Sequence, residues 1–266
     1  MNLIKAQDCR IQAEKLLRKT SSFDWIFPSM VTSRTKNAAE LYARAGNIYA
    51  GISKWDLAST HWEKSFRLSY SPDVGFTLAE SYEKLGLWLQ AIGIYLEILS
   101  KSYQSIQPLK KAKILYRLGC NYLQIGDLAN GLEHLYTCVE LKNSEATGYK
   151  ILSLIQIQIT LIGLDNFDLV CEITFQTLGS SNPLDLSQLE TLLVKPNLNF
   201  CIWIGLLCSL VKLKSNSPDY LNMLNTSLLI NFIKSPEHAN YLSIEKQGIS
   251  SSSIKQLTNI SNFLIN

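Results

Sequence analysis

The chain has 266 residues, of which 47% are apolar and 18% charged, and a formal net charge of +3. That length allows one elongated domain or two small ones with a sizeable core, and the apolar fraction excludes a disordered chain. The charge is too small for a general nucleic-acid binder.

The first predicted element is a polar helix within "MNLIKAQDCRIQAEKLLRK". It never builds an apolar block, so no secretory leader is expected. The six cysteines, at 9, 120, 138, 171, 201 and 208, include no Cys-x-x-Cys pair. Several occupy apolar positions of helical patterns, and they read as reduced core thiols of a cytosolic protein. The connection that follows, "SSFDWIFPSM", packs Phe23, Trp25, Ile26 and Phe27 into five residues and stops at Pro28. Such side chains between two polar helices either fold back as a staple against the first hairpin or face something outside the chain.

Beyond this connection the sequence repeats itself. The anchors are Trp55, Trp88, Leu128 and Phe167, spaced by 33, 40 and 39 residues. Three residues after each stand Ala58, Ala91, Gly131 and Val170; seven after stand Trp62, Tyr95, Leu135 and Thr174. Six before stand Tyr49, Tyr82, Tyr122 and Leu161, and ten before stand Ala45, Leu78, Leu118 and Ile157. Positions four apart before the anchor, and three and seven after it, lie on one face of two successive helices. The small residue lets the pair approach closely while the large ones fill the space around it.

The turns "AGISKW", "KLGLW", "IGDLAN" and "LIGLDNF" carry suitable breakers, and Pro72 and Pro108 fall between units, where proline starts a helix without interrupting one. One hairpin cannot bury its own apolar face, so neighbours must stack. The expected fold is all-α: a tetratricopeptide-like right-handed solenoid of antiparallel helix hairpins over residues 1–180. A C-terminal helical bundle is expected over 181–266, with "GISSSSIKQ" as a linker before a last short helix. The segment "ILSLIQIQITLIGL" alternates as a strand would, but its place in the register predicts a buried helix. The run "FCIWIGLLCSLV" is too short to span a bilayer and reads as buried helix.

Catalytic signatures are absent from the sequence. His61, His134 and His238 share no metal-ligand spacing, and the first two, each six residues after an anchor, are expected on a mostly exposed face. No phosphate loop, nucleophile elbow or acidic cluster occurs. Neither an enzyme nor a cofactor is expected. Lys110, Lys113 and Arg117, at i, i+3 and i+7, share one helix face, opposite an apolar stripe of Ala112, Leu115, Tyr116 and Cys120.

From Ala13 to Tyr70 the sequence "AEKLLRKTSSFDWIFPSM…NAAELYARAGNIYAGISKWDLASTHWEKSFRL" resembles the soluble NSF attachment proteins, the alpha-SNAP family. The likeness runs on through "LAESYEKLGLWLQAIGIYLEIL" and "AKILYRLGCNYLQIGDLANGLEHL" and covers residues 10 to 180. The "FDWIF" loop and "ELYARAGNIY" favour the alpha over the gamma type. The resemblance implies an adaptor that coats the SNARE four-helix bundle and recruits the hexameric ATPase NSF. It would be cytoplasmic and peripheral on membranes, without nucleic acid and without bond chemistry of its own.

The resemblance further implies that Phe23, Trp25, Ile26 and Phe27 contact the membrane, where aromatic rings suit the interface. It assigns Lys110, Lys113 and Arg117 to the SNARE bundle. Lys113 matches a family lysine, Gln156 stands where a second is expected, Lys150 is the basic residue nearest to it, and Lys195 is a further member. The family's acidic tail is not matched, because only Glu237 and Glu245 follow Tyr220 among acids. The apolar end persists in Leu264 and Ile265, which take the place of the NSF contact. The alternative is a tetratricopeptide-like scaffold for protein partners with no tie to membranes, although no carboxylate clamp of Lys, Arg and Asn assembles at regular positions.

Overall fold

A computed structural model describes residues 2–18, 28–142, 146–164 and 166–177, and the single positions 204, 205, 208 and 259. The described residues are helical and connected by short turns. The helices are α1 (Asn2–Arg18), α2 (Pro28–Ala50), α3 (Trp55–Leu68), α4 (Pro72–Lys84), α5 (Trp88–Ser102), α6 (Pro108–Gln124), α7 (Leu128–Glu140), α8 (Thr147–Gly163) and α9 (Phe167–Thr177). Two compact units divide the chain, Met1–Tyr149 and Lys150–Asn266. The expected boundary at residue 180 and, but for those four positions, the expected bundle over 181–266 lie outside the described residues. So do Phe23, Trp25, Ile26, Phe27, Lys195, Leu264 and Ile265.

In the first unit each helix packs on the next in sequence, from α1 on α2 through α6 on α7. Short connections between successive packed helices make this an array of antiparallel, tetratricopeptide-like hairpins. Proline opens α2, α4 and α6. Its missing N–H is one that the first helical turn would leave unpaired, and its fixed φ is already helical.

The repeat is visible atom by atom at the turns. In all four, the N–H one residue before the anchor donates to the carbonyl six before it: Lys54 to Tyr49 at 3.0 Å, Leu87 to Tyr82 at 2.9 Å, Asp127 to Tyr122 at 3.0 Å and Asn166 to Leu161 at 2.9 Å. Two residues before the anchor the backbone turns left-handed, with φ of +58° at Ser53, +71° at Gly86 and +82° at Gly126. Glycine adopts this region without the Cβ clash that a side chain incurs.

Helix pairs then meet at one recurring contact, between nine residues before the anchor and seven after it. In the first hairpin Gly46 faces the Trp62 indole, and in the third Gly119 faces Leu135; a Cβ on either glycine would lie 2.7 Å and 2.6 Å from those side chains. The second hairpin has Ala79 and Tyr95 there, both fully buried in one apolar cluster. In the second unit the same two positions hold Gln158 and Thr174, joined by a 2.7 Å hydrogen bond from Nε2 to Oγ1 and both buried. Segment 147–163 is thus a helix, and its strand-like alternation reflects burial on several sides: Leu154, Ile155, Ile157, Ile159 and Leu161 all lie inside.

Fully burying side chains of the size of Tyr95, Leu78, Ile98, Ile114 and Leu118 contributes about 1.5–3 kcal/mol each. Among the described residues no helix is long and apolar enough to cross a membrane.

Candidate functional site

The basic residues singled out on α6 do lie together. Lys110, Lys113 and Arg117 form a row at heptad spacing, about 10 Å long at a rise of 1.5 Å per residue. They do not face solvent alone. A row of carboxylates on α4, Asp73, Glu80 and Glu83, runs beside them. Lys110 Nζ pairs with Asp73 Oδ1, and Lys113 Nζ lies 3.0 Å from Glu80 Oε1. Arg117 Nη1 lies 2.8 Å from Glu83 Oε2, and its Nη2 lies 3.8 Å from Glu80 Oε1. Three cations thus meet three carboxylates, and the stripe is close to neutral.

The two rows differ from end to end. At the outer end Asp73 is 88% exposed, so its pair with Lys110 is screened by water and contributes little. Phe76 lies under the lysines, with Lys113 Nζ 4.4 Å and Lys110 Nζ 5.4 Å from the ring centroid, and its negative face favours the cations there. At the inner end the Glu83 side chain is only 7% exposed. It accepts from Arg117 and, at 2.8 Å, from Asn121 Nδ2. Burial raises the Glu83 pKa above its ordinary value, and the Arg117 charge and the Asn121 hydrogen bond work against that rise. The buried Tyr95 hydroxyl is pushed up, first by burial and then by the Glu83 charge.

Beside this inner end an open cleft of about 550 Å³ is lined by Glu80, Glu83, Lys84, Trp88, Arg117, Cys120, Asn121 and Gln124. Lys84 also reaches back one repeat, with Nζ 3.5 Å from the centroid of Trp55. The Cys120 thiol is pushed up to about 12 by burial, so it stays protonated and inert near neutral pH. Lys150 is half-exposed on α8, in the second unit.

The carboxylate row was missed in the sequence. The signal was present: α4 carries acids at i, i+7 and i+10, and the cations that pair with them stand 33 to 37 residues later, about one repeat on. The exposed placement of the histidines needs correction. His61 is buried, with only 5% exposure, under the rings of Tyr49 and Tyr42. His134 is half-buried and stacks on Tyr122 at 5.4 Å. The physical reason is one of register: six residues after the anchor is the inner flank of the second helix, where it meets the tyrosine six before the anchor. Cys138, Cys171 and Cys208 are buried as expected of core thiols, whereas Cys9 and Cys120 are only half-buried; these five are free of disulfides. Among the described residues no group of His, Cys, Asp and Glu is placed to hold a metal ion.

No family model matches the chain, and no curated protein matches it. Among solved structures the chain is similar to one described as "TPR2AB-domain:pHSP90-complex of yeast Sti1", at 12% identity and a TM-score of 0.36, over 85% of this chain and 96% of that one. A likeness at that identity and score adds no argument to the geometry.

Proposed function

We propose that this chain is a protein-binding adaptor whose hairpin array engages a partner through the α4–α6 face. The observation that carries this reading is the pair of opposed charge rows with a cleft at their inner end. Rows of side chains at helical spacing fit the regular charges of another helix better than they fit a small molecule, and they fix register and orientation. Because the charges are already paired, docking exchanges ion pairs instead of creating them, and binding is moderate and salt-sensitive.

The finer reading is that the partner is an assembled SNARE four-helix bundle and that the complex recruits an NSF-type ATPase. What supports it is the ordered likeness from Ala13 to Tyr70 and the two hairpins that follow. The same reading places Phe23, Trp25, Ile26 and Phe27 against the membrane surface. A second reading, a scaffold with no tie to membranes, is favoured by the pairing of the basic row, in which Lys110, Lys113 and Arg117 each already meet a carboxylate and so attract an acidic bundle less. A pull-down with an assembled SNARE bundle and with its separated strands tests the choice. Retention of the bundle alone supports the SNARE reading; retention of neither removes it and leaves the scaffold.

A further inference from the structure

His61 stands where α1, α2 and α3 meet, and its two ring nitrogens are in unequal positions. Nδ1 lies 2.7 Å from the Leu57 carbonyl oxygen. A carbonyl only accepts, so Nδ1 carries the proton and donates. Nε2 is therefore the bare acceptor nitrogen, and it is buried without a hydrogen-bond partner. The neutral ring tolerates this, since it leaves a single acceptor unused. A proton on Nε2 would create a buried donor with nothing to receive it, together with a buried charge.

The groups around the ring do not rescue the cation. From α2 come the rings of Tyr49 and Tyr42, at 5.0 Å and 6.1 Å. From α1 come Arg10 and Glu14, and from α3 itself Lys64. Two of these three charges repel an imidazolium, and the attractive one, Glu14, lies 3.9 Å from Arg10. Burial is the largest influence and lowers the His61 pKa below its ordinary 6.5, against the pull of the Leu57 hydrogen bond.

Of the three helices that enclose the ring, α1 has the smallest buried stripe, Ala6 and Ala13. To the core cluster that ties Tyr49 of α2 to Trp62 and Phe66 of α3, α1 contributes only the small side chain of Ala6. When the ring must reach water, the element that leaves is the one with the least apolar surface to lose. We infer that His61 is a proton-sensitive latch on α1: neutral, it allows α1 to lie closed over the α2–α3 hairpin, and protonated at Nε2 it releases α1. A group with a depressed folded pKa stabilises the closed form above 6.5, and that contribution is lost as the pH falls through the folded pKa.

Amide hydrogen exchange of the full chain between pH 7.5 and pH 5, corrected for the intrinsic pH dependence of exchange, reads the latch directly. Protection of α1 should fall by about tenfold for each unit that separates the His61 pKa of the closed and open forms, while α4–α7 keep theirs. His61→Phe, which retains a ring between the tyrosines but has no nitrogen to protonate, should hold α1 protection constant over the same range. Constant α1 protection in the wild type would overturn the inference, and so would an equal loss in His61→Phe, which would point to Glu14. Should that variant not fold, an NMR titration of the wild-type imidazole decides: a pKa below 6.5 that moves together with α1 amide signals supports the latch, and one at or above 6.5 refutes it.

Discussion

Gly46 and Gly93 are both interior helix glycines, and the hairpin register predicts opposite signs for replacing them with alanine. Alanine gains about 1 kcal/mol over glycine inside a helix when nothing else changes. At Gly93, an exposed position on α5, nothing lies within 4 Å of the new methyl group, so the full gain should appear. At Gly46 the methyl carbon would stand 2.7 Å from Cδ1 and Nε1 of Trp62 and 2.9 Å from its Cγ. Ordinary carbon contacts are about 3.5–4.0 Å, so one partner must retreat by nearly 1 Å.

The indole has no easy retreat. It is 5% exposed, and its Nε1–H donates to Asn47 Oδ1 at 3.0 Å. Overpacking of this kind costs about 1–3 kcal/mol, and breaking the indole hydrogen bond adds about 1 kcal/mol. Against the helix gain, Gly46→Ala should lose about 1–3 kcal/mol in urea unfolding followed by circular dichroism, whereas Gly93→Ala gains about 0.5–1 kcal/mol. Gly119→Ala should behave like Gly46→Ala, because its Cβ meets Leu135 Cγ at 2.6 Å and the Gly131 carbonyl oxygen at 3.0 Å. Equal stabilisation of all three variants would mean that the paired helices do not approach at this position, and the repeat contact would be wrong.

At the turns, Ser53→Gly should raise stability by about 0.5–1 kcal/mol and Gly86→Ala should lower it by about 1–2 kcal/mol, because both positions need a left-handed backbone; thermal melts decide. Glu83 tests the buried end of the charge rows. Its folded pKa lies above the ordinary 4.5, so its protonated carboxyl contributes stability that is fully present below that value and is lost as the pH rises through the folded pKa. Paired unfolding curves should therefore show the wild type weakening relative to Glu83→Gln as the pH is raised, and the opposite trend would mean that Arg117 outweighs burial. Phe23→Ser combined with Phe27→Ser should lower liposome binding and leave the melting temperature unchanged if the loop meets lipid. If the loop is instead a staple, the pair costs about 2–5 kcal/mol and liposome binding is absent from the start.

The hairpin register was legible because aromatic and small residues recur around each anchor, and packing demands both. The finer contacts were less so. The close approach uses Gly46 and Gly119 but Ala79 and Gln158 at the same position, so residue identity varies while geometry is kept. The left-handed turn falls on glycine twice and on Ser53 once, which hides it from a glycine pattern. His61 was expected on an exposed face from its place six residues after an anchor, yet the corresponding residue in the next hairpin, Ile94, is apolar and marks that flank as inner. The cations on α6 were read correctly as one row, but spacing along a single helix carries no information about the carboxylates that a neighbouring repeat lays beside it.

The most direct test of the α4–α6 face is to unmask its positive row without touching it. Asp73→Asn with Glu80→Gln removes the partners of Lys110 and Lys113 and leaves Arg117 its bond to Glu83. The affinity for an assembled SNARE bundle is then measured for wild type and variant from low to high salt, with circular dichroism as the check on folding. Two unmasked surface charges are worth about 0.5–1 kcal/mol each, so the variant should bind about five- to thirtyfold tighter at low salt, with the advantage fading as salt rises. An affinity unchanged or weakened in a folded variant would contradict the account, because the face that carries the charge rows would then not be the face that binds.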